Sequence, residues 1–142
     1  MLGRLSDMGI EPYLLRSGLL AIVAQRLVRS LCACARPDTS LDPTSTLGLP
    51  VSSARLPVGC DRCGGTGYLG RLVIAEFLPT DSEPIGSAIL ARAEVARLER
   101  AAIASGLVTR WQRALELVES GKTSAAEVRR VLGVSGPADP PE

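Results

Sequence analysis

The chain has 142 residues, of which 46% are hydrophobic and 22% charged, enough for one small domain or two sub-lobes. A net charge of +1 gives no bulk electrostatic argument for a nucleic-acid or acidic partner. There is no histidine, so imidazole acid–base chemistry and imidazole metal ligands are both excluded. The longest unbroken apolar run, Leu19 to Ala24, is far below the roughly 20 residues a membrane-spanning helix requires. The opening Met1-Leu2-Gly3-Arg4 lacks the long apolar segment of a signal peptide. A cytosolic chain with reduced thiols is therefore expected.

In chain order, residues 2–8 read as the end of a helix stopped by Gly9, and Glu11-Pro12 opens a second element. Ser17 is placed to cap a helix running through Leu19, Leu20, Ile22 and Val23. Residues 25–31 are shorter and richer in Val and Leu and predict a strand. Residues 36–57 are dominated by Pro, Ser, Thr and Asp and carry neither period, which predicts a long irregular loop. Gly64-Gly65-Thr66-Gly67 is a turn, and residues 71–78 are a second strand ended by Pro79.

Two strands alone are marginal in water, so this hairpin is expected to belong to a larger sheet and to expose apolar faces by itself. From residue 81 the period becomes helical. Asp81 or Ser82 caps a helix carrying Ile85, Ala88 and Ile89. A second helix carries Val95, Leu98, Ala102 and Ile103 and ends at Gly106, and a third carries Trp111, Leu115 and Val118 and ends at Gly121. The last starts at Ser124, with Glu127 three residues on as a capping box, and ends at Gly133. The tail from residue 134 to 142 is expected to be disordered.

The cysteines carry the strongest chemical signal. Cys32-Ala33-Cys34 and Cys60-Asp61-Arg62-Cys63 are separated by 25 residues. Two such pairs in a reduced compartment read as a tetrahedral structural zinc site with Cys32, Cys34, Cys60 and Cys63 as ligands. Four thiolates on one zinc leave a net negative charge, which Arg29, Arg36, Arg62 and Arg71 are placed in sequence to offset. All four positions are filled by protein, so no catalytic water position is expected, and loss of the metal is expected to unfold residues 32–63. Inert buried thiols, or a redox pair made of Cys60 and Cys63, are the alternatives; no thioredoxin-like βαβ context supports the redox reading.

Two further patterns are set aside. Gly121-Lys122-Thr123 resembles the end of a phosphate loop, but the glycine that motif needs falls at Glu116, so a helix-to-helix turn is the better reading. Residues 124–136 resemble half of a helix-turn-helix with no recognition helix after it, so no nucleic-acid partner is expected. Without histidine no Ser–His or Cys–His nucleophile exists. No catalytic residue and no cofactor-binding residue is assigned.

The stretches Asp7 to Cys32 (DMGIEPYLLRSGLLAIVAQRLVRSLC) and Gly59 to Asp81 (GCDRCGGTGYLGRLVIAEFLPTD) resemble the type II secretion ATPase known as general secretion pathway protein E and its type IV pilus assembly relatives. Gly106 to Gly133 is a looser match, in the right order. The resemblance implies an α/β fold: the C-terminal remnant of a RecA-like motor domain (a helix plus a β-hairpin), an inserted tetracysteine zinc lobe, and a small C-terminal helical lobe. The boundaries it implies are 1–31 for the end of the motor core, 32–69 for the metal lobe, 70–80 for the returning strand, 81–133 for the helical lobe and 134–142 for the tail.

The resemblance further implies a homo-hexameric ATPase at the cytoplasmic face of the inner membrane. It would act through membrane platform proteins to assemble a pilus or pseudopilus and export protein. Zinc would be structural, and ATP with Mg2+ would bind only in the full-length parent, because the phosphate loop and acidic motif of that family have no counterpart here. The first cysteine pair departs from the family's usual C-x2-C by one residue. The chain is thus expected to be a C-terminal piece, inactive alone; an internal methionine, a misplaced start or a split gene would account for Met1. The alternative is a stand-alone zinc-binding interaction module. Cys60-x-x-Cys63-x-Gly65-x-Gly67 also matches one unit of the J-protein zinc finger, a family that uses four such units.

Overall fold

The computed structural model describes residues 4–5 and 8–133; most of the helix expected at 2–8, and the tail expected to be disordered, lie outside the described residues. Helix α1 spans Pro12–Gly18 with its proline in the first turn, where the missing N–H costs nothing. Strand β1 spans Ala21–Leu31. Here the structure departs from the sequence reading. Ser17 does not open a helix but closes α1, its hydroxyl donating to the Tyr13 carbonyl at 2.8 Å. The apolar run after it is extended. β-branched Ile22 and Val23 suit a ladder with strand β4, and that pairing overrides the helical spacing of the leucines.

Two short strands, β2 (Arg36–Pro37) and β3 (Arg55–Leu56), pair antiparallel at the base of the Pro/Ser/Thr-rich loop. A single 3-10 turn covers Asp61–Cys63, and β4 spans Tyr68–Pro79. Four helices follow: α2 (Glu83–Leu90), α3 (Val95–Ala104), α4 (Arg110–Glu119) and α5 (Ala125–Leu132). β1 and β4 form a two-stranded sheet. Thr80 N–H donates to Leu20 O at 3.1 Å and Cys32 N–H to Gly67 O at 2.9 Å, so the strands run antiparallel. Leu20 at the entry to β1, Val23 and Leu27 within it, and Val73 and Phe77 of β4 are exposed.

The chain divides into two compact units, and both long strands pass from one to the other, at Ala24–Gln25 and at Ala75–Glu76. The first unit holds α1, α2 and α3. Its core is a small aliphatic cluster of Leu15, Ile85, Ile89 and Ala102, with Leu78, Leu98 and Leu107 packed against it. The positions i, i+4 on α2 and i, i+4 on α3 place these residues on one stripe of each helix. Gly86 lets Arg16 lie flat on α2: an added Cβ would fall 2.0 Å from Arg16 Nε. Two ion pairs of this unit, Arg16–Glu83 at 3.8 Å and Arg92–Glu11 at 3.3 Å, lie at the surface, with Arg16 half-buried.

The second unit holds the four cysteines together with α4 and α5. Val28 of β1 and Ile74 of β4 face a cluster of Trp111, Ala114 and Val118 from α4 and Ala125 and Val128 from α5. Leu49 and Ala54 from the long loop complete it. The loop is therefore not the coreless segment its composition predicts. Asp38 caps its own turn by accepting from Ser40 N–H at 3.0 Å and Ser40 Oγ at 2.8 Å. Ser52 N–H and Oγ donate to Glu119 at 2.9 and 2.8 Å, and Arg129 Nε donates to Leu47 O at 3.0 Å. These bonds fix the loop to α4 and α5. No described helix is long and apolar enough to cross a membrane.

Candidate metal centre

The four cysteines expected as ligands come together. All four Sγ atoms lie within 4.8 Å of one another. Cys32–Cys60 and Cys34–Cys63 are 3.9 Å apart, and Cys60–Cys63 is 3.8 Å. None is in a disulfide. A zinc–sulfur bond of about 2.3 Å implies tetrahedral edges of about 3.8 Å. These three edges match a tetrahedral ion, and an all-sulfur donor set selects a soft or borderline metal.

Each pair is presented differently. Cys60 and Cys63 sit on the 3-10 turn. Cys60 O accepts from Cys63 N–H at 3.1 Å and Gly65 N–H at 2.9 Å, which folds the chain tightly around the site. Gly59 makes this possible: with φ 101°, its added Cβ would fall 2.4 Å from the Gly65 carbonyl oxygen. At Gly67 a Cβ would fall 2.5 Å from Pro57 Cβ. Cys60 N–H and Gly67 N–H both donate to Cys63 Sγ at 3.2 Å. Burial pushes the Cys63 thiol up, but these two donors together with the Cys60 and Cys34 thiols outweigh it and hold it down at about 6. Cys34 goes the other way, pushed up to about 11 chiefly by burial. A bound cation would supply the charge that its thiolate lacks.

Cys32 and Cys34 stand at the exit of β1. Cys32 N–H donates to Gly67 O, which ties the two cysteine arms together at their bases. Ala35 N–H turns back to Cys32 O at 2.9 Å, and the Arg55 guanidinium donates to Ala35 O. The arginines expected to balance the site charge are not all used that way. Arg29 is committed to Glu127 and stacks on the Tyr68 ring at 4.0 Å.

Around the strand exits lies a polar network that sequence reasoning missed. Glu127 is fully buried. Its carboxylate accepts from Arg29 N–H at 2.9 Å, Arg29 Nε at 2.9 Å and Arg29 Nη2 at 2.7 Å. It also accepts from Arg130 Nε at 2.8 Å and Arg130 Nη2 at 2.6 Å. Burial raises its carboxyl, and the guanidinium bonds from Arg130 and Arg29 more than reverse this, bringing it to about 2. Half of the expected capping box is present: Ser124 Oγ accepts from Glu127 N–H at 3.2 Å, while the Glu127 side chain turns to the arginines instead. The one available signal was a carboxylate on the helix stripe that also carries Val128, and propensity alone reads such a residue as a cap.

Gly121-Lys122-Thr123 forms the α4–α5 turn, with Gly121 at φ 68° and Thr123 buried. Its backbone docks on β1 rather than facing outward: Leu31 N–H donates to Lys122 O at 2.8 Å and Thr123 Oγ1 to Arg29 O at 2.8 Å.

Four cysteine sulfurs gathered where a strand pair ends, in the same unit as two short helices, define a site that could hold a metal ion. Residues 1–130 match the family model described as type II/IV secretion system protein, and the chain belongs to that family. It is 35% identical over 132 residues to the type IV pilus assembly ATPase PilB of Thermus thermophilus, covering 88% of this chain and 15% of that protein. It is 38% identical over 133 residues to type II secretion system protein E of Aeromonas hydrophila, covering 90% of this chain and 26% of the relative. A putative type II secretion system protein E of Escherichia coli K12 is 39% identical over 142 residues, covering 93% and 27% respectively. The chain thus spans between 15% and 27% of the length of these relatives.

Proposed function

We propose that this chain is the C-terminal, metal-bearing segment of a type II secretion or type IV pilus assembly ATPase. In this reading Cys32, Cys34, Cys60 and Cys63 hold a structural zinc ion. β1 and β4 are the last strands of a RecA-like motor core, and the exposed Leu20, Val23, Leu27, Val73 and Phe77 along them suit strands that continue into a larger sheet. The motor would work as a cytoplasmic hexamer attached peripherally to the inner membrane through platform proteins. It would bind ATP and Mg2+ in residues outside this chain and power pilus or pseudopilus assembly and protein export. The segment itself would supply structure and contacts, with no catalytic group and no nucleic-acid partner.

The observation that carries this reading is the sulfur cage, with edges of 3.8 and 3.9 Å, in a chain of this family. Zinc, when bound, would be closed to water and would act by holding the two cysteine arms together. The test is metal content by mass spectrometry on protein purified without added metal. One zinc per chain, absent from Cys60→Ser, supports the reading, and well-folded metal-free protein overturns it. The motor assignment has a separate test. The upstream part of a relative, expressed without its own last quarter, should regain hexamer formation and ATP hydrolysis when joined to this chain; no recovery would leave only the zinc module.

A further inference from the structure

We propose that Glu127 is a positioning residue for the metal centre, acting from α5 on both strands that present the cysteines. The inference rests on the reading that the four cysteines bind zinc. The two arms differ in what fixes them. Cys60 and Cys63 have their own turn and two N–H donors to Cys63 sulfur. Cys32 and Cys34 have a single residue between them and follow directly on β1, so the geometry of that arm is inherited from the strand.

The end of β1 is clamped from α5 and the turn before it. Lys122 O takes the N–H of Leu31, the residue next to the first ligand, at 2.8 Å. Thr123 Oγ1 donates to Arg29 O at 2.8 Å and Glu127 accepts from Arg29 N–H at 2.9 Å, so both backbone groups of Arg29 are held. Arg130 bonds both oxygens of the same carboxylate. The same residues reach the second arm. The Arg29 guanidinium, aimed by Glu127, stacks on the Tyr68 ring at 4.0 Å, and Tyr68 OH bonds Ser124 Oγ at 2.6 Å. Tyr68 adjoins Gly67, whose N–H donates to Cys63 Sγ and whose carbonyl accepts from Cys32 N–H. One buried carboxylate therefore sets the strand leading into the site and, through Arg29 and Tyr68, the turn leading out of it. Groups that orient ligands in this way typically change metal affinity by about 10–100-fold when removed.

The test is zinc affinity by chelator competition, with cobalt(II) as a spectroscopic stand-in, on the wild type, Glu127→Gln and Val128→Ala. The first substitution keeps the side-chain volume but sets a neutral amide against two arginines. Val128, one residue on, is fully buried in the Trp111 cluster, so its truncation destabilises the same helix through packing and leaves the Glu127 carboxylate in place. The expected result is zinc affinity at least about tenfold lower in Glu127→Gln, with weakened cobalt–thiolate charge-transfer bands, and unchanged affinity in Val128→Ala. Wild-type affinity in Glu127→Gln, or equal loss in both variants, would overturn the proposal. A wild type that binds no metal would instead overturn the metal-site reading on which it rests.

Discussion

The two units hold themselves together by different physics. The unit of α1, α2 and α3 relies on four small or medium aliphatic side chains, and its ion pairs lie at the surface, with Glu83 84% exposed. The unit that holds the cysteines relies on a few specific groups: four clustered sulfurs, a buried carboxylate bonded to two arginines, and a cluster that includes Trp111 and Ile74. Non-directional burial degrades in proportion to the area lost. Buried polar and metal sites fail abruptly when one partner is removed, because the remaining groups stay desolvated. Single substitutions should therefore be felt unequally in the two units.

On the proposed zinc reading, the largest effect should come from losing the metal. Structural zinc in small modules contributes on the order of 10 kcal/mol. Cys60→Ser should abolish that binding and lower the thermal midpoint of the cysteine-bearing unit more than any core or ion-pair substitution, measured by calorimetry with and without chelator. The buried Leu49 and Ala54 moderate the outcome: the long loop keeps an apolar anchor, so the apo protein should lose order around residues 32–37 and 57–67 rather than throughout 32–63.

Next come the cores. Ile74→Ala removes a buried side chain from the cysteine-bearing unit and Ile85→Ala one from the other, each expected to cost about 2–5 kcal/mol. Denaturant melts should place the two variants close together. A much smaller loss for Ile85→Ala would mean that the α1–α3 cluster is not the core of its unit.

Glu127→Gln should cost about 3 kcal/mol, near the low end for breaking a buried ion pair because both arginines still reach water. The same group predicts a pH dependence. Its carboxyl ordinarily titrates at 4.5 and sits at about 2 in the fold. Its contribution is complete above the unfolded value, and it should fade as pH falls from about 4.5 toward 2. Wild-type stability should drop through that window, and the drop should shrink in Glu127→Gln. The smallest effect belongs to the exposed pair Arg92–Glu11: Arg92→Ala should change stability by less than about 1 kcal/mol, and still less at high salt.

What the sequence disclosed follows the same division. That the two cysteine pairs come together was legible from their residue type and short spacing, and the glycines after Cys63 announced the turn. The helices from residue 83 onward were legible from spacing and from Gly106, Gly121 and Gly133 at their ends. Three features depended on tertiary partners. The run Leu19–Ala24 has helical-looking spacing, and only the presence of β4 makes it a strand. The long loop looked structureless because Leu49 and Ala54 are single apolar residues in a polar stretch, and their burial comes from α4 and α5. Glu127 looked like half of a capping box, and nothing local reveals Arg29, 98 residues earlier, as its partner.

The most direct test is hydrogen–deuterium exchange on zinc-loaded protein and on the same protein after chelation. Protection should be lost around Cys32–Cys34 and from Gly59 to Tyr68, while α2 and α3 exchange as before. Protection lost equally in both units, or unchanged around the cysteines, would contradict the proposal that zinc on the four cysteines orders that unit alone.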